Sequence, residues 1–180
     1  MAGRILVLAA VLLFAGASGA QPNAAQVYEA DVLYLPTPHA VVESMLRLAG
    51  VSGTDVVYDL GSGDGRIPIA AVQTFKARSA TGIDIDPQRI KEANENLKKA
   101  GVGDRVRFLN QDLFTTPIGE ASVVTLYLLQ SLNEKLMPKL QKELKPGSRV
   151  VSQTFSMGDK WPPDQTVQIQ GRNIYLWIVK

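Results

Sequence analysis

The 180-residue chain contains no cysteine and a single histidine. Without cysteine there can be no disulfide framework, zinc–thiolate site or lipidated cysteine, although this absence fits oxidising and reducing compartments alike. The histidine, His39, lies at the start of an apolar periodic segment, and no Gly-x-Ser-x-Gly motif is present, so hydrolysis by an activated serine is unsupported. A P-loop is missing as well, because no Gly-Lys-Ser/Thr follows the glycine-rich stretch. No metal site is predicted.

The chain also lacks a strong excess of one charge. Its formal net charge is +2, only 20% of its residues are charged, and no dense tract of lysine and arginine is present. This composition does not indicate a nucleic-acid-binding protein. Since 46% of the residues are hydrophobic, the chain can form one ordinary globular core, and we expect one domain.

The N-terminal segment has the pattern of a signal peptide. Arg4 precedes the apolar run 5–14, and small residues follow up to Ala20, which predicts cleavage before Gln21. The apolar run is short for a spanning helix, which needs about 20 residues. The alternatives are an uncleaved membrane anchor through residues 5–20 and a misassigned start. We therefore expect an exported (periplasmic or secreted) or membrane-anchored protein, which would have to obtain any cytosolic cofactor by delivery.

The next two segments connect this leader to the rest of the chain. Residues 21–30 are polar and alanine-rich and predict a linker. Residues 31–50 predict an N-terminal arm, in which a proline-fixed extended stretch is followed by a helix over 39–49. Thr37 is the expected N-cap of that helix, and Pro38 its first helical residue.

From residue 51 onwards, short β-branched runs alternate with longer helical segments, which indicates a βαβ sheet. We therefore predict an α/β, Rossmann-like domain over 31–180, with a seven-stranded, mainly parallel sheet and a C-terminal antiparallel hairpin. The expected strands are 55–60, 80–85, 106–109, 122–128 and 149–155, the helices start near 66 and run over 87–100 and 131–144, and the hairpin strands 166–170 and 174–179 flank a turn at 171–173.

A glycine loop follows the first predicted strand, in the sequence Val-Val-Tyr-Asp-Leu-Gly-Ser-Gly-Asp-Gly-Arg over 56–66. Asp59 and Asp64 flank its glycines and would oppose a phosphate, but they favour a cationic ligand such as the sulfonium of S-adenosylmethionine. The glycine spacing also differs from the dinucleotide motif Gly-x-Gly-x-x-Gly. The loop amides are expected to remain available for the methionine carboxylate or ribose. The candidate cofactor-binding residues here are Asp59, Gly61, Ser62, Gly63 and Gly65.

Acidic residues follow the next two strands. Asp84 lies 19 residues after Gly65, near the offset at which an acid holds ribose hydroxyls. Asp84 and Asp86 could both be helix caps, but adjacent strand-end side chains alternate, so we assign Asp84 to the ribose, Asp86 to the cap, and Ile85 to packing on the adenine.

Asp112 follows the third strand. Its carboxylate could accept from the adenine amino group while the Leu113 amide meets a ring nitrogen, or it could simply cap a short helical turn. Three acids after successive parallel strands would line the carboxyl edge of the sheet, where open α/β folds bind ligands.

Four segments carry a resemblance to a known family: Leu-Tyr-Leu-Pro-Thr-Pro over 33–38, the glycine loop, Val-Val-Thr-Leu-Tyr-Leu-Leu over 123–129, and Lys-Pro-Gly-Ser-Arg-Val-Val-Ser over 145–152. The chain resembles class I S-adenosylmethionine-dependent methyltransferases over 31–180, and within them the family of mitochondrial ATP synthase c-subunit and adenine nucleotide translocase lysine methyltransferases with their bacterial relatives.

The resemblance implies S-adenosylmethionine as cofactor and a protein lysine as acceptor. It implies cofactor contacts from Asp59, Gly61, Gly63, Asp84 and Asp112, with Tyr34 and Thr37 of the arm closing over the methionine end. Two positions depart from the family pattern: Gln130 replaces a usual proline, and Lys160 lengthens a loop. Both departures concern the acceptor side.

The residues also suggest how the acceptor is treated. Tyr34 and Tyr127 are the candidate catalytic residues, and with Phe155 and Trp161 they could line an aromatic channel that favours a neutral lysine, although Phe155 and Trp161 could equally be core residues. No Asn/Asp-Pro-Pro-Tyr motif follows the fourth strand, which disfavours nucleobase and glutamine amide methylation. A small-molecule methyltransferase and a non-catalytic cofactor-binding protein remain alternatives.

Overall fold

The computed structural model describes residues 35–180. Tyr34, the leader predicted over 1–20 and the linker predicted over 21–30 lie outside the described residues. The elements, in chain order, are α1 (His39–Leu48), β1 (Val56–Leu60), α2 (Arg66–Gln73), β2 (Ser79–Asp84), α3 (Pro87–Ala100), β3 (Val106–Asn110), β4 (Val123–Leu126), α4 (Gln130–Glu143), β5 (Arg149–Gln153), β6 (Gln165–Ile169) and β7 (Arg172–Ile178).

The strands form one seven-stranded sheet in the order β3-β2-β1-β4-β5-β7-β6. Strands β1 to β5 are parallel, and β7 runs antiparallel to both β5 and β6. The predicted fold class is therefore confirmed, including the single reversed strand. Because β1 lies between β2 and β4, the chain reverses its direction of winding there, and the loops after these strands leave a crevice at the carboxyl edge of the sheet.

The two faces of the sheet bury separate apolar clusters. Helices α1, α2 and α3 cover one face, with Val41, Met45 and Val72 in its cluster. On the other face, α4 contributes Leu136 and Leu140, both fully buried. The four-residue spacing of these leucines places them on the side of the helix that faces the sheet.

Three local details differ from the sequence-based expectation. Thr37 does not cap α1, since Pro38 is the N-cap residue and no side chain makes a capping hydrogen bond. Strand β5 stops at Gln153 instead of continuing to 155, because Thr154 adopts a positive φ of 68°. The turn of the last hairpin is Gln170-Gly171, both with positive φ, and not 171–173; this is the geometry of a two-residue hairpin loop.

None of the helices in residues 35–180 has the length and hydropathy needed to cross a membrane.

Candidate functional site

A cavity of about 570 Å³ opens at the carboxyl edge of the sheet, where the loops after β1, β2 and β4 converge. Its wall contains acidic residues from distant parts of the chain as well as apolar residues. One part of the cavity can therefore contact a cationic group of a ligand, and another part an uncharged group. The lining residues that the sequence predicted as cofactor contacts are Thr37, Asp59, Gly61, Ser62, Gly63, Asp84, Ile85, Asp112 and Leu113.

The glycine loop is held in place through its own amides. The N–H groups of Gly61 and Ser62 both donate to the carbonyl of Ile83, at 2.8 and 3.0 Å. The Gly63 N–H donates to Asp84 Oδ2 at 2.8 Å, and the Gly65 N–H to the Ser62 carbonyl at 2.9 Å. These four amides are therefore engaged within the protein, and the expectation that the loop amides remain available for a ligand is wrong for them.

Two glycines of this loop are required by geometry. Gly61 has φ +82°, and a Cβ there would lie 2.8 Å from Leu128 Cδ2; Gly65 has φ +78°, and a Cβ there would lie 2.3 Å from Phe108 Cζ. Both positions combine a left-handed backbone with close packing, which only glycine accommodates. Gly61 lines the cavity, whereas Gly65 is the N-cap residue of α2 and is not among the lining residues. Its predicted contact with the cofactor stays a prediction.

Asp59 is a buried carboxyl group at the base of the cavity, only 2% exposed. Burial raises its pKa from an ordinary value of 3.8 to about 8, the hydrogen bond from Thr125 opposes this, and the charges of Asp84 and Asp64 add to it. That hydrogen bond runs from Thr125 Oγ1 to Asp59 Oδ1 at 2.6 Å. At neutral pH the group is largely protonated, and a cation bound nearby would favour its ionised form.

Asp64, the second acid of the loop, is neutralised by an ion pair. Arg66 Nε donates to its Oδ1 at 2.9 Å, and Arg66 Nη2 to its Oδ2 at 2.6 Å. The same guanidinium donates through Nη1 to the Thr37 carbonyl at 2.7 Å, which ties the end of the arm to the loop. Thr37 is itself buried and lines the cavity. The charge argument for a cationic ligand therefore depends on Asp59 and Asp84 more than on Asp64.

Asp86 is a helix cap, as the sequence suggested, and the contact of Asp84 with the ribose stays a prediction; both residues line the cavity. Asp86 is the N-cap of α3, and its Oδ1 accepts from the Gln88 N–H at 2.8 Å. Asp84 accepts one N–H on each oxygen, from Gly63 and Asp86. Because a carboxylate has about four acceptor positions, Asp84 retains capacity for ribose hydroxyls on the cavity side. Asn110 Nδ2 donates to the carbonyls of Asp84 and Ile85 and fixes this strand end.

The capping interpretation of Asp112 is confirmed, and its contact with the adenine stays a prediction. Its Oδ1 accepts from the Phe114 N–H at 2.8 Å, so it caps the short turn, and the same residue lines the cavity beside Leu113. Phe114 and Lys135 also line the cavity, and the Lys135 ammonium lies 4.1 Å from the centroid of the Phe114 ring. This cation–π contact joins the turn after β3 to helix α4.

The opposite end of the cavity is aromatic. Tyr127 follows β4 and Phe155 follows β5; both line the cavity, and their rings stack at 6.5 Å between centroids with an interplanar angle of 21°. Trp161, the other channel candidate of the described residues, instead packs against Trp177, whose Nε1–H donates to the Trp161 carbonyl at 2.8 Å. Of the two readings offered for Trp161, core packing is the one the structure shows.

The cavity fits a cofactor with hydroxyl and cationic groups. Ser62 is 5% exposed, lines the cavity, and its hydroxyl has no hydrogen-bond partner among the described residues. A buried hydroxyl without a partner is unfavourable, so a bound polar ligand would satisfy it. Together with Asp59 and Asp84, it forms a polar set suited to S-adenosylmethionine. Residues 35–180 contain no His, Asp and Glu cluster arranged to hold a metal ion.

Sequence reasoning missed several lining residues. Arg66, Phe114 and Lys135 belong to this group, as do two hydrophobic residues at the mouth, Leu35 and Leu129, which are 57% and 40% exposed. Because these two leucines are exposed at the mouth of the cavity, they do not contribute to the hydrophobic core. Both stand in segments that carry the family resemblance, but no role was predicted for either residue, and only the adjacency of the arm to the N-terminus of α4 brings them together.

Comparison with known proteins gives a consistent family. A family model described as the ANTKMT methyltransferase domain matches residues 59–165. A curated relative from Saccharolobus islandicus, named protein-lysine N-methyltransferase, is 45% identical over 156 residues, covering 84% of this chain and 96% of that protein. The mouse adenine nucleotide translocase lysine N-methyltransferase is 36% identical over 134 residues, or 74% of this chain. This chain spans 57% of the length of the mouse protein.

A similar solved structure is described with a different methyl acceptor. It is described as an RNA methyltransferase from Salinibacter ruber in complex with S-adenosyl-L-homocysteine. It is 54% identical in sequence, has a TM-score of 0.78, and covers 81% of this chain and 94% of its own. The similar proteins thus agree on methyl transfer and carry two different acceptor classes in their names.

Proposed function

We propose that this chain, which belongs to the ANTKMT methyltransferase domain family, transfers methyl groups from S-adenosylmethionine to lysine side chains of a protein. The observation that carries the proposal is the pairing of an acidic, buried donor end with an aromatic, apolar acceptor end in one cavity. The relative named protein-lysine N-methyltransferase, which this chain matches over 96% of its length, supports the same acceptor.

Three groups of residues are assigned to contacts with the cofactor. Asp84 offers its remaining acceptor positions to the ribose hydroxyls, and Asp59 and the Ser62 hydroxyl face the methionine part. Ile85 and Leu113 provide apolar surface for the adenine. The bound cofactor supplies an electrophilic methyl group on a positively charged sulfur.

The protein's contribution to methyl transfer is alignment and exclusion of water, since the displacement needs an in-line acceptor but no strong acid. A lysine acceptor must first lose its proton, which at pH 7 costs about 4.6 kcal/mol for a pKa near 10.4. Tyr127, Phe155 and Leu129 form apolar surface at the acceptor end. Desolvation there lowers the pKa of an entering ammonium.

The test of the function is incubation of the protein with labelled S-adenosylmethionine and the envelope and membrane proteins of the source organism, followed by mapping of each labelled residue. We expect label on lysine Nζ. A parallel reaction contains total RNA, and label confined to RNA would refute the proposal. The control enzyme is Asp84→Ala, which should bind the cofactor much more weakly by calorimetry, whereas Asp104→Ala, which removes an exposed acid at the opposite edge of the sheet, should retain the affinity.

RNA is the second candidate acceptor, and one observation besides the structural relative favours it. A polar groove of about 560 Å³ at the amino edge of the sheet is lined by Arg78, Arg105, Arg107 and Lys145, together with Asp104 and Glu120. Two features weigh against RNA. The groove lies at the edge opposite the cofactor cavity, and the residues after β4 that line the cavity are Tyr127, Leu128 and Leu129, none of which has the amide or carboxyl group that could pair with a base edge.

The predicted leader has its own proposal and test. We propose that residues 1–20 direct the chain out of the cytosol or anchor it to the membrane, because their charge and apolar pattern resembles a signal peptide. N-terminal sequencing of the native protein should give Gln21 as the first residue. A native chain that begins at Met1 in the soluble cytosolic fraction would overturn the proposal.

A further inference from the structure

Helix α4 buries a polar side chain that neither the core nor the cofactor site requires. Asn133 is 0% exposed and lies one residue after Leu132, on a helix whose other buried side chains are Leu136 and Leu140. Burying an amide in such surroundings is costly unless it makes hydrogen bonds. The partners of Asn133 therefore indicate what its burial achieves.

Those partners lie at the end of β5 and in the segment that follows it. Asn133 Nδ2 donates to the Phe155 carbonyl at 3.0 Å, to Ser152 Oγ at 3.1 Å and, at the longer distance of 3.5 Å, to the Ser156 carbonyl. Ser152, also fully buried, donates from its hydroxyl to the same Phe155 carbonyl at 2.7 Å. The backbone of Phe155 is thus held from α4 and from the strand that precedes it.

The same segment has an unfavourable backbone conformation. Thr154 has φ 68°, and the Phe155 N–H donates to the Gln153 carbonyl at 2.8 Å, two residues back. This is a γ-turn with positive φ, which is rare, and a β-branched residue at its centre is strained. Such conformations persist only where surrounding contacts enforce them, and they concentrate at functional sites.

The result of this turn is the direction of the Phe155 side chain. A strand continued to residue 155 would have carried Phe155 along the sheet, whereas the turn places its ring in the cavity wall, stacked on Tyr127. We infer that Asn133 is a positioning residue, which, with Ser152, clamps the strained turn at Thr154 and so fixes Phe155 at the acceptor end of the cavity. The inference rests on the proposed function, since it assigns the acceptor channel of that reaction.

The orientation of the Asn133 amide allows its proposed positioning role to be tested with an isosteric substitution. Its nitrogen faces two carbonyl oxygens, so the opposite assignment of the amide would place an oxygen against both. Asn133→Asp has the same shape but loses both N–H donors. An ionised carboxylate would repel the Phe155 carbonyl, and a protonated one can donate to only one of the oxygens that Nδ2 contacts. We expect kcat for lysine methylation to fall on the order of 10- to 100-fold, as for a displaced reacting geometry. The affinity for S-adenosylmethionine should not change, because Asn133 does not line the cavity.

Further variants separate positioning from general damage. Ser152→Ala removes the second donor to the Phe155 carbonyl and should lower kcat in the same direction by a smaller factor. Thr154→Gly keeps the turn, because glycine adopts positive φ without strain, and should retain kcat. The matched control is Ser122→Ala, which removes a buried hydroxyl hydrogen bond at the opposite edge of the sheet and should leave kcat unchanged.

A double-mutant cycle with Phe155→Leu provides the decisive comparison. If Asn133 acts through the Phe155 ring, Asn133→Asp combined with Phe155→Leu should be no slower than Phe155→Leu alone. Losses that multiply, or an Asn133→Asp enzyme with normal kcat, would overturn the inference.

A second readout does not depend on any acceptor. In the protein without substrate, the nuclear Overhauser contact between the Tyr127 and Phe155 rings should be present in the wild type and Ser122→Ala and lost in Asn133→Asp. If this contact is lost as expected but no lysine is ever labelled, the proposed function fails and the clamp stands. If the contact persists in a folded Asn133→Asp protein, the clamp fails whatever the acceptor. Should Asn133→Asp not fold, Ser152→Ala answers the same question.

Discussion

Asp55 and Asp59 stand four residues apart, at the two ends of β1, and are almost equally buried, at 3% and 2% exposure. Burial would raise the pKa of Asp55, but hydrogen bonds from Ser122, Ser52 and Arg149 and the charge of Arg149 bring it below its ordinary value. Asp59 has one hydrogen bond from Thr125 and two neighbouring acids, and burial raises its pKa to about 8. Two acids of similar exposure thus have opposite pKa shifts, because Asp55 has several donors and a guanidinium beside it, whereas Asp59 lies deeper in the protein with one donor and two acidic neighbours.

The difference between Asp55 and Asp59 shows how a buried acid with a structural role can be distinguished from one that binds a ligand. Asp55 is surrounded by groups of the protein itself: its Oδ1 accepts from Ser122 Oγ and from Arg149 Nη2, and its Oδ2 from Ser52. Asp59 lies where the sheet opens into the cavity, and the groups that shift its pKa are Thr125 and two acids, with no lysine or arginine of residues 35–180 among them. Such a site is completed by a ligand, and a cationic cofactor is the group that fits.

The largest expected effect comes from breaking the completed network. Asp55→Asn leaves the Arg149 guanidinium, whose side chain is 23% exposed, without its acidic partner. Removing one member of a buried ion pair costs about 3 kcal/mol. Guanidinium denaturation should show this loss, and Asp59→Asn, as matched control, should lose little because its carboxyl group is already largely neutral at pH 7. Equal losses in the two variants would contradict the comparison.

The second effect is on the ligand. Asp59→Asn cannot ionise, so it cannot complement a cationic cofactor, and its affinity for S-adenosylmethionine should fall by about 10- to 100-fold, or ~2 kcal/mol. Titration calorimetry measures this directly. In the wild type at pH 7, binding should also release up to about one proton, detected as a dependence of the heat on buffer ionisation enthalpy. An unchanged affinity in Asp59→Asn would remove Asp59 from the site.

The third effect is the pH dependence of stability without cofactor. Because the folded pKa of Asp59 is raised above its unfolded value, its contribution is fully present below about pH 4 and is lost as pH rises towards about 8. The slope cannot exceed about 1.4 kcal/mol per pH unit for one proton. Asp55 has the opposite sign, with stability present above its unfolded pKa and lost as pH falls further. Denaturation across pH 4–8 should therefore give a flatter curve for Asp59→Asn than for the wild type.

The smallest effects concern the two hydroxyl donors. Ser122→Ala should lower the free energy of unfolding by about 1 kcal/mol and leave cofactor affinity unchanged. Thr125→Val removes the donor to Asp59, disfavours its ionised form further, and should weaken cofactor binding by about threefold, or ~0.6 kcal/mol. If Ser122→Ala affected cofactor binding more than Thr125→Val, the two ends of β1 would not be separable in this way.

Much of the fold was predictable because its determinants are local. The helix predicted over 87–100 is found over those residues, since Asp86, Pro87 and Gly101 mark its ends with a cap, a first-turn proline and a left-handed glycine. The strand that precedes the glycine loop, predicted over 55–60, is likewise found over Val56–Leu60. Predictions failed where a tertiary contact overrides the pattern, as at Thr154, whose β-branched side chain favours a strand but whose backbone turns.

The residues of the candidate site likewise divide into those that the sequence predicted and those that it did not. Asp59, Asp84 and Asp112 could be predicted because parallel strands bring their carboxyl ends to one edge, so position in the sequence fixes position in space. Phe114, Lys135 and Asn133 could not, because they matter only through neighbours distant in the chain. Trp161 is an aromatic residue of the kind expected in an acceptor channel, and only its packing on Trp177 shows that it belongs to the core.

By itself, the sequence determined the sheet, the glycine loop and a cation-favouring cofactor, because each depends on residue type and spacing along the chain. Only the tertiary structure decided the surroundings of each acid: Asp64 forms an ion pair with Arg66, the network around Asp55 lowers its pKa, and burial raises the pKa of Asp59 against the single donor Thr125. The physical reason is that the charge of a buried carboxyl group is set by the donors and charges packed around it, and these come from segments that the linear sequence keeps apart.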